Sequence, residues 1–184
     1  MAGRAGGVRG AGSIAALIQR CIAALDRFTD LMGRTIAWLT FAMAFLTVFI
    51  VVLRYVFNEG AIMLQESVIY MHGVVLLLGI PYALKEDHHV RVDVIYSRLT
   101  ERTRTIVDVA GHLVFLIPVC VFIVYFSTSY VASSWRVLEG SAEVGGIPGV
   151  FLLKTLIPVM ATVLLLQGLA ETARGISKIR RTGS

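Results

Sequence analysis

Charged residues are scarce in this sequence. Asp, Glu, Lys and Arg make up 16% of its 184 residues, whereas 57% of the residues are hydrophobic and the mean hydropathy is +0.78. Soluble domains carry about 25% charged residues, so a soluble fold of this size would have to bury nearly all of its apolar surface in one small core. In a membrane that surface faces lipid instead. The composition therefore predicts an integral membrane protein.

Cysteine and the common catalytic motifs are also nearly absent. Cys21 and Cys120 are the only cysteines, and neither has the spacing of a metal or redox site. The sequence contains no Gly-rich phosphate loop, nucleophile elbow or HExxH motif. We therefore expect neither an enzyme nor a bound cofactor.

Four apolar runs are long enough to cross a bilayer, which takes about 20 residues of helix. They cover residues 35–53, 67–84, 106–130 and 150–170. Pro118 lies inside the third run, where it removes a backbone hydrogen bond to Val114 and predicts a kink. The fold class predicted is an all-α membrane protein with four transmembrane helices, in a domain over residues 35–176.

The segments outside this domain differ in character. Residues 1–12 are mainly Gly, Ala and Arg and predict a disordered tail. Over residues 13–34, apolar side chains recur at helical spacing after the N-cap candidate Ser13. This pattern predicts an amphipathic helix that lies on the membrane or a partner, or simply extends the first span. Residues 177–184 form a basic tail.

The basic residues are distributed asymmetrically around the four runs. Fourteen lie before the first run, between the second and third, or after the fourth, and only two lie in the other connections. By the positive-inside rule, both termini and the central connection are predicted to be cytoplasmic. Because these residues flank apolar runs, the basic charge does not favour nucleic-acid binding.

The central connection contains a dense polar turn. Four of its side chains could ligate a metal ion: Asp87, His88, His89 and Asp93. No second cluster completes such a site, and a structural interpretation is favoured. Asp93 can N-cap a short cytoplasmic surface helix over residues 94–99, and Arg91 can reach lipid phosphates or acidic side chains of a partner.

Polar groups within the spans offer two further hypotheses. A haem could be held between His72 and His112, but their predicted depths differ by roughly 13 Å, which disfavours a shared haem. Lys154 lies near the end of the fourth span, where it can pair with Glu66, Glu139 or Glu143. A haem- or quinone-linked anchor subunit and a small independent channel or exporter remain open at this point.

Several short motifs, in order and at matching spacing, resemble one family. They are Arg54-Tyr55-Val56-Phe57-Asn58, Glu66, Leu78-Gly79, Tyr82-Ala83-Leu84-Lys85, His89-Val90-Arg91-Val92-Asp93, Gly145-Gly146-Ile147-Pro148, Lys154, Pro158 and Gln167-Gly168-Leu169. Over residues 34–176 the chain resembles the small membrane subunit of tripartite ATP-independent periplasmic (TRAP) transporters.

This resemblance implies a place in a secondary transport system of the bacterial inner membrane. A soluble periplasmic protein would deliver an organic anion, often a carboxylate, to a large permease subunit driven by a sodium gradient. The small subunit would serve as a scaffold beside the large one, without a substrate site of its own. The candidates for structural or subunit-assembly roles are Arg54, Asn58, Glu66, His89, Arg91, Asp93 and Lys154.

Overall fold

A computed structural model of the chain describes residues 7–86 and 99–182. It contains four long helices: α1 (Gly7–Val56), α2 (Ile62–Lys85), α3 (Glu101–Arg136) and α4 (Val150–Thr182). Each has the length and apolar composition needed to cross a membrane. The predicted fold class, an all-α protein with four transmembrane helices, is confirmed.

Helix α1 is a single helix of 50 residues. It includes residues 13–34, which therefore continue directly into the first span, and it begins at Gly7, inside the segment predicted to be a disordered tail. Adding residues to an existing helix costs far less than starting one, so the helix can extend into a Gly-rich segment. At about 1.5 Å per residue α1 is ~75 Å long, more than twice the ~30 Å hydrocarbon core.

Helix α3 changes its winding midway. Residues Glu101–Gly111 and Ile117–Arg136 are α-helical, and His112–Leu116 between them form a π-helical segment. There the N–H of Ile117 donates to the carbonyl of His112, five residues earlier. The wider turn directly precedes Pro118, whose ring would crowd the carbonyl four residues back in a regular α-helix. The kink predicted at Pro118 stays a prediction, and the π-helical segment is the irregularity that the structure shows there.

The four helices pack in a row whose order differs from the order in the chain. Helix α1 packs on α2, α2 on α4, and α4 on α3, while α1 also meets α4 over a short stretch. The last helix, α4, therefore contacts all three of the others. Burial within the chain is slight: none of the most apolar stretch of α1 is buried, and only 22% of that of α4. Many large apolar side chains of α1 and α3 are exposed and are left for lipid or another protein to cover.

Glycines set the distance between neighbouring helices at two contacts. A Cβ atom at Gly33 of α1 would lie 2.5 Å from the ring of Tyr82 of α2. One at Gly73 of α2 would lie 2.7 Å from Leu153 of α4. Small residues allow this close approach where lipid gives helices little reason to associate. At Gly79 a Cβ would meet nothing within 4 Å.

The row has two distinguishable ends. We call the end with the 57–61 and 137–149 connections the loop end, and the opposite end, where α2 and α4 finish, the terminal end. His89, Arg91, Asp93 and residues 94–98 of the predicted surface helix 94–99 lie outside the described residues.

Candidate functional site

The motif residue Asn58 terminates α1 at the loop end. Its φ angle is 55°, and the following residue, Glu59, donates its N–H to the carbonyl of Leu53 at 3.1 Å. Asn is one of the few residues other than Gly that adopts this left-handed conformation readily at a helix end. Arg54 lies in the last turn of the same helix and is exposed.

Glu66 attaches α2 to the connection between α3 and α4. One of its carboxylate oxygens accepts a hydrogen bond from the Ser141 hydroxyl, and the other accepts one from the N–H of Ile147 at 2.5 Å. A Cβ at Gly146 would lie 2.7 Å from the Glu66 Oε1 atom, so only Gly fits there without displacing the carboxylate. Glu66 thereby fixes residues 141–147 against the start of α2.

Lys154 pairs with Glu139, one of the three partners that the sequence allowed. The Lys154 Nζ lies 2.5 Å from Glu139 Oε2 and 4.3 Å from the centroid of the Tyr130 ring. The Ser134 hydroxyl donates to the same carboxylate oxygen at 2.6 Å. The hydrogen bond from Lys154 lowers the pKa of the Glu139 carboxyl below its ordinary value. This second loop-end contact joins α4 to the end of α3.

A larger polar group, which we call the terminal cluster, joins three helices at the other end. It consists of Asp26, Thr29 and Asp30 of α1, Lys85 of α2, and Gln167, Glu171 and Arg174 of α4. Thr29 and Gln167 are fully buried, with 0% of their surface exposed. Buried polar groups require hydrogen-bond partners, so each of these two side chains depends on the opposing helix or its own backbone for partners.

Gln167 uses both halves of its amide in the terminal cluster. Its Nε2 donates to Asp26 Oδ1 at 3.4 Å and to Glu171 Oε1 at 3.2 Å. Its Oε1 lies 3.5 Å from the Thr29 hydroxyl oxygen. Arg174 forms ion pairs with both Asp26 and Glu171. A carboxylate of α1 and one of α4 thus share one guanidinium.

Lys85 extends the terminal cluster to α2. It forms an ion pair with Asp30, and its side chain is 15% exposed. Asp30 is less than one turn from Gly33, where α1 and α2 approach most closely. All of these carboxylates are occupied by cations or amides of the chain itself, an arrangement that holds helices together. Within the described residues, no group of three or more His, Cys, Asp or Glu side chains could hold a metal ion.

Comparison with known proteins identifies the class to which this structure belongs. The family described as "Tripartite ATP-independent periplasmic transporters, DctQ component" matches residues 43–178. The chain belongs to this family. The C4-dicarboxylate TRAP transporter small permease protein DctQ of Vibrio cholerae serotype O1 (strain ATCC 39315 / El Tor Inaba N16961) is 31% identical over 81 residues. These residues are 44% of this chain and 35% of that protein, so the match spans about a third of the relative's length.

Membership of the DctQ family makes the chain a small permease subunit of a TRAP transporter, and hence a multi-pass protein of the bacterial inner membrane. The resemblance drawn from the motifs is confirmed at this level. The family match includes α2, α3 and most of α4 but begins at residue 43. Asp26, Thr29 and Asp30 therefore lie before the matched region, although Gln167 and Arg174 lie within it.

The structure brings Glu66 and Lys154 of this DctQ chain to the same end, into two neighbouring contacts. Sequence reasoning missed the terminal cluster. Asp26 and Asp30 stood on the polar side of the predicted amphipathic helix, where water is the usual partner of a carboxylate. The available signal was a pair of acidic residues one turn apart, matched by cations near the ends of α2 and α4. That signal shows which charges could pair and not which helices are neighbours.

Proposed function

We propose that this DctQ-family subunit is a fixed scaffold for a large permease subunit. The complete transporter would take up an organic anion of the carboxylate class, delivered by a periplasmic binding protein and driven by an ion gradient, sodium in the first instance. Family membership favours this function over the haem-linked anchor and the independent channel that the sequence left open.

The observation that supports the proposal most directly is that polar contacts join the helices at both ends of the row, while apolar side chains between the ends are exposed. Helices α1 and α3 expose many large apolar side chains, whereas α2 and α4 expose few. Contiguous apolar surface of this extent needs lipid or another membrane protein beside it. The ion pairs at the two ends, Lys154 with Glu139 and Arg174 with Asp26, hold the row in one shape. Apolar surface on helices that are held in place in this way suits a support for a moving neighbour.

The substrate class is inferred from relatives. The name of the Vibrio cholerae relative specifies a C4-dicarboxylate, and the match covers about a third of that protein. We extend to this chain only the shared chemistry, an anion with at least one carboxylate.

Reconstitution in liposomes tests the proposal. The large permease subunit and the binding protein would be assayed with a panel of radiolabelled carboxylates under an inward sodium gradient, with and without this chain. We expect uptake only when all three proteins are present and the gradient is intact. Uptake at the full rate without this chain, or uptake by this chain alone, would contradict a scaffold role.

A further inference from the structure

We propose that Gln167 is the positioning residue that sets the register of α1 against α4, with Asp26, Thr29 and Arg174 as its partners. This goes beyond the scaffold function and does not rest on it, because it concerns how the chain arranges its own helices.

The contact between α1 and α4 needs a directional interaction. α1 packs along α2 but meets α4 only over a short stretch at the terminal end. The residues joined there are far apart in the sequence, with separations of 138 for Thr29 and Gln167 and 148 for Asp26 and Arg174. Apolar side chains alone specify such a contact poorly in a membrane, since lipid replaces them at little cost.

Gln167 meets both of its α1 partners in one register only, whereas its hydrogen bond to Glu171 lies within α4. Its amide is fully buried, and its nitrogen and oxygen face Asp26 and Thr29, which are almost one helical turn apart on α1. Sliding α1 by one turn, ~5.4 Å, would remove Thr29 from reach of the buried Gln167 amide. In the direction that brings Asp30 to the place of Asp26, the slide would also break the ion pair of Asp30 with Lys85. The same slide would separate Arg174 from Asp26. A single buried amide fixes helix register in coiled coils by the same physics.

Contacts with α2 support the same register from the other side. The ion pair between Lys85 and Asp30, with the close approach of Gly33 to Tyr82, holds α1 against α2 within about a turn of Thr29. Helix α1 is therefore fixed by two helices at one level. The orientation of the part of α1 before Asp26, relative to the other helices, is consequently fixed.

Spin labels can measure the register directly in the full chain. Ala23→Cys on α1 and Ser177→Cys on α4 flank the groove at the terminal end that Asp26 and Arg174 also line. Cys21 and Cys120, the two native thiols, would be replaced by Ser and Ala. The distance between the labels would be measured by pulsed electron paramagnetic resonance in bilayer nanodiscs, without any other subunit.

The parent should give one narrow distance distribution. We expect Gln167→Leu to shift it by about one helical turn (~5 Å) or to broaden it to that extent. The matched control is Gln65→Leu, the same substitution at an exposed position of α2, which should leave the distribution unchanged. A distribution in Gln167→Leu that equals that of the parent would overturn the proposal.

An exchange of charges separates positioning from a general loss of stability. Asp26→Arg and Arg174→Asp should each broaden the distribution, because each places like charges opposite one another. The double exchange restores opposite charges at positions 26 and 174, so its distribution should be narrower than that of either single variant. It should not reach the parental width, because Arg at position 26 cannot accept the hydrogen bond from the Gln167 amide nitrogen. A double variant as disturbed as the single variants would contradict the assigned pairing. These results do not depend on transport, so they stand apart from the test of the scaffold function.

Discussion

Glu66 is the residue that connects the most separate parts of the chain at the loop end. Its carboxylate accepts hydrogen bonds from Ser141 and from the Ile147 backbone. A hydrogen bond to a charged group contributes about 1.5–3 kcal/mol to stability. We expect Glu66→Ala to lower the free energy of unfolding by ~2–3 kcal/mol in denaturant titrations in detergent micelles.

Glu59 provides the control for this prediction. It is an exposed carboxylate in the neighbouring 57–61 connection, so Glu59→Ala removes the same charge at the same end. We expect that variant to unfold like the parent. Equal free energies of unfolding for the Glu66→Ala and Glu59→Ala variants would show that the Glu66 carboxylate does not hold the 141–147 segment.

Because Glu139 is paired with Lys154, we expect the stability of the fold to depend on pH in the acidic range. The hydrogen bond from Lys154 lowers the pKa of Glu139 from its ordinary value of 4.5. A carboxyl group whose pKa is lowered by folding stabilises the fold at pH values above the ordinary pKa, and the contribution is lost as the pH falls through the folded value. The melting temperature of the parent should therefore fall as the pH is lowered below about 4.5.

In Lys154→Met this acid-dependent part should be smaller, because the cation that lowers the Glu139 pKa is gone. Melting temperatures from pH 7 down to pH 3 would be compared for the two proteins by differential scanning fluorimetry. Arg54→Met, which removes an exposed cation from the same end, should retain the parental pH profile. If Lys154→Met also keeps the parental profile, the pair does not contribute to the stability of the fold.

At the scale of elements, the contact between α1 and α2 depends on the absence of a side chain at Gly33. Extra methyl groups in a tight contact typically cost ~1–3 kcal/mol. Ala ordinarily stabilises a helix by ~1 kcal/mol relative to Gly. A loss of stability in Gly33→Ala would therefore mean that steric crowding at this contact outweighs that gain. We expect Gly33→Ala to destabilise the chain, since the Tyr82 ring lies within 2.5 Å of the added Cβ position.

Gly79 supplies the matched substitution on α2. A Cβ there meets nothing within 4 Å, so Gly79→Ala should leave the stability of the isolated chain unchanged or raise it. Unfolding in detergent would compare the two variants, and Tyr82→Leu should relieve the Gly33→Ala defect. Equal stability of the two Ala variants would mean that α1 and α2 do not approach closely at Gly33.

Hydropathy in the sequence was sufficient to find the helices but not their neighbours. The predicted spans 35–53, 67–84, 106–130 and 150–170 each lie inside one of α1 to α4. A transmembrane helix must satisfy its own backbone in lipid, so the position of a span is a local property of the sequence. The packing order α1, α2, α4, α3 is not local, because α4 lies between two helices that precede it.

The candidate residues show the same difference between local features, which the sequence indicates, and long-range contacts, which it does not. The conformation of Asn58 and the Lys154–Glu139 pair concern residues close in sequence, and the resemblance to TRAP small subunits singled out Asn58 and Lys154. The α1 partners of Gln167 are 138 and 141 residues away, and no pattern within one helix indicates them. The helical pattern of residues 13–34 likewise indicated no partners for Asp26, Thr29 and Asp30, which face other helices of the chain.

At the scale of the whole molecule, the orientation in the membrane stays a prediction. Fourteen basic residues lie in the segments assigned to one side and two in those assigned to the other. A reporter enzyme active only outside the cytoplasm should work when fused after Gly60 or Gly140 and be silent after His88 or Ser184. Activity of the fusion at His88 would contradict the proposed orientation.

The central claim is that the row of helices keeps one shape while the transporter works. Spin labels at Thr47→Cys on α1 and Ser133→Cys on α3, both exposed positions, report the separation of the two outer helices. The distance would be measured in the assembled transporter without substrate and with substrate, binding protein and a sodium gradient, beside labels on the large subunit. For a fixed scaffold we expect the same narrow distance in both conditions while the labels on the large subunit move. A change between the two conditions in the α1–α3 distance would contradict a fixed scaffold.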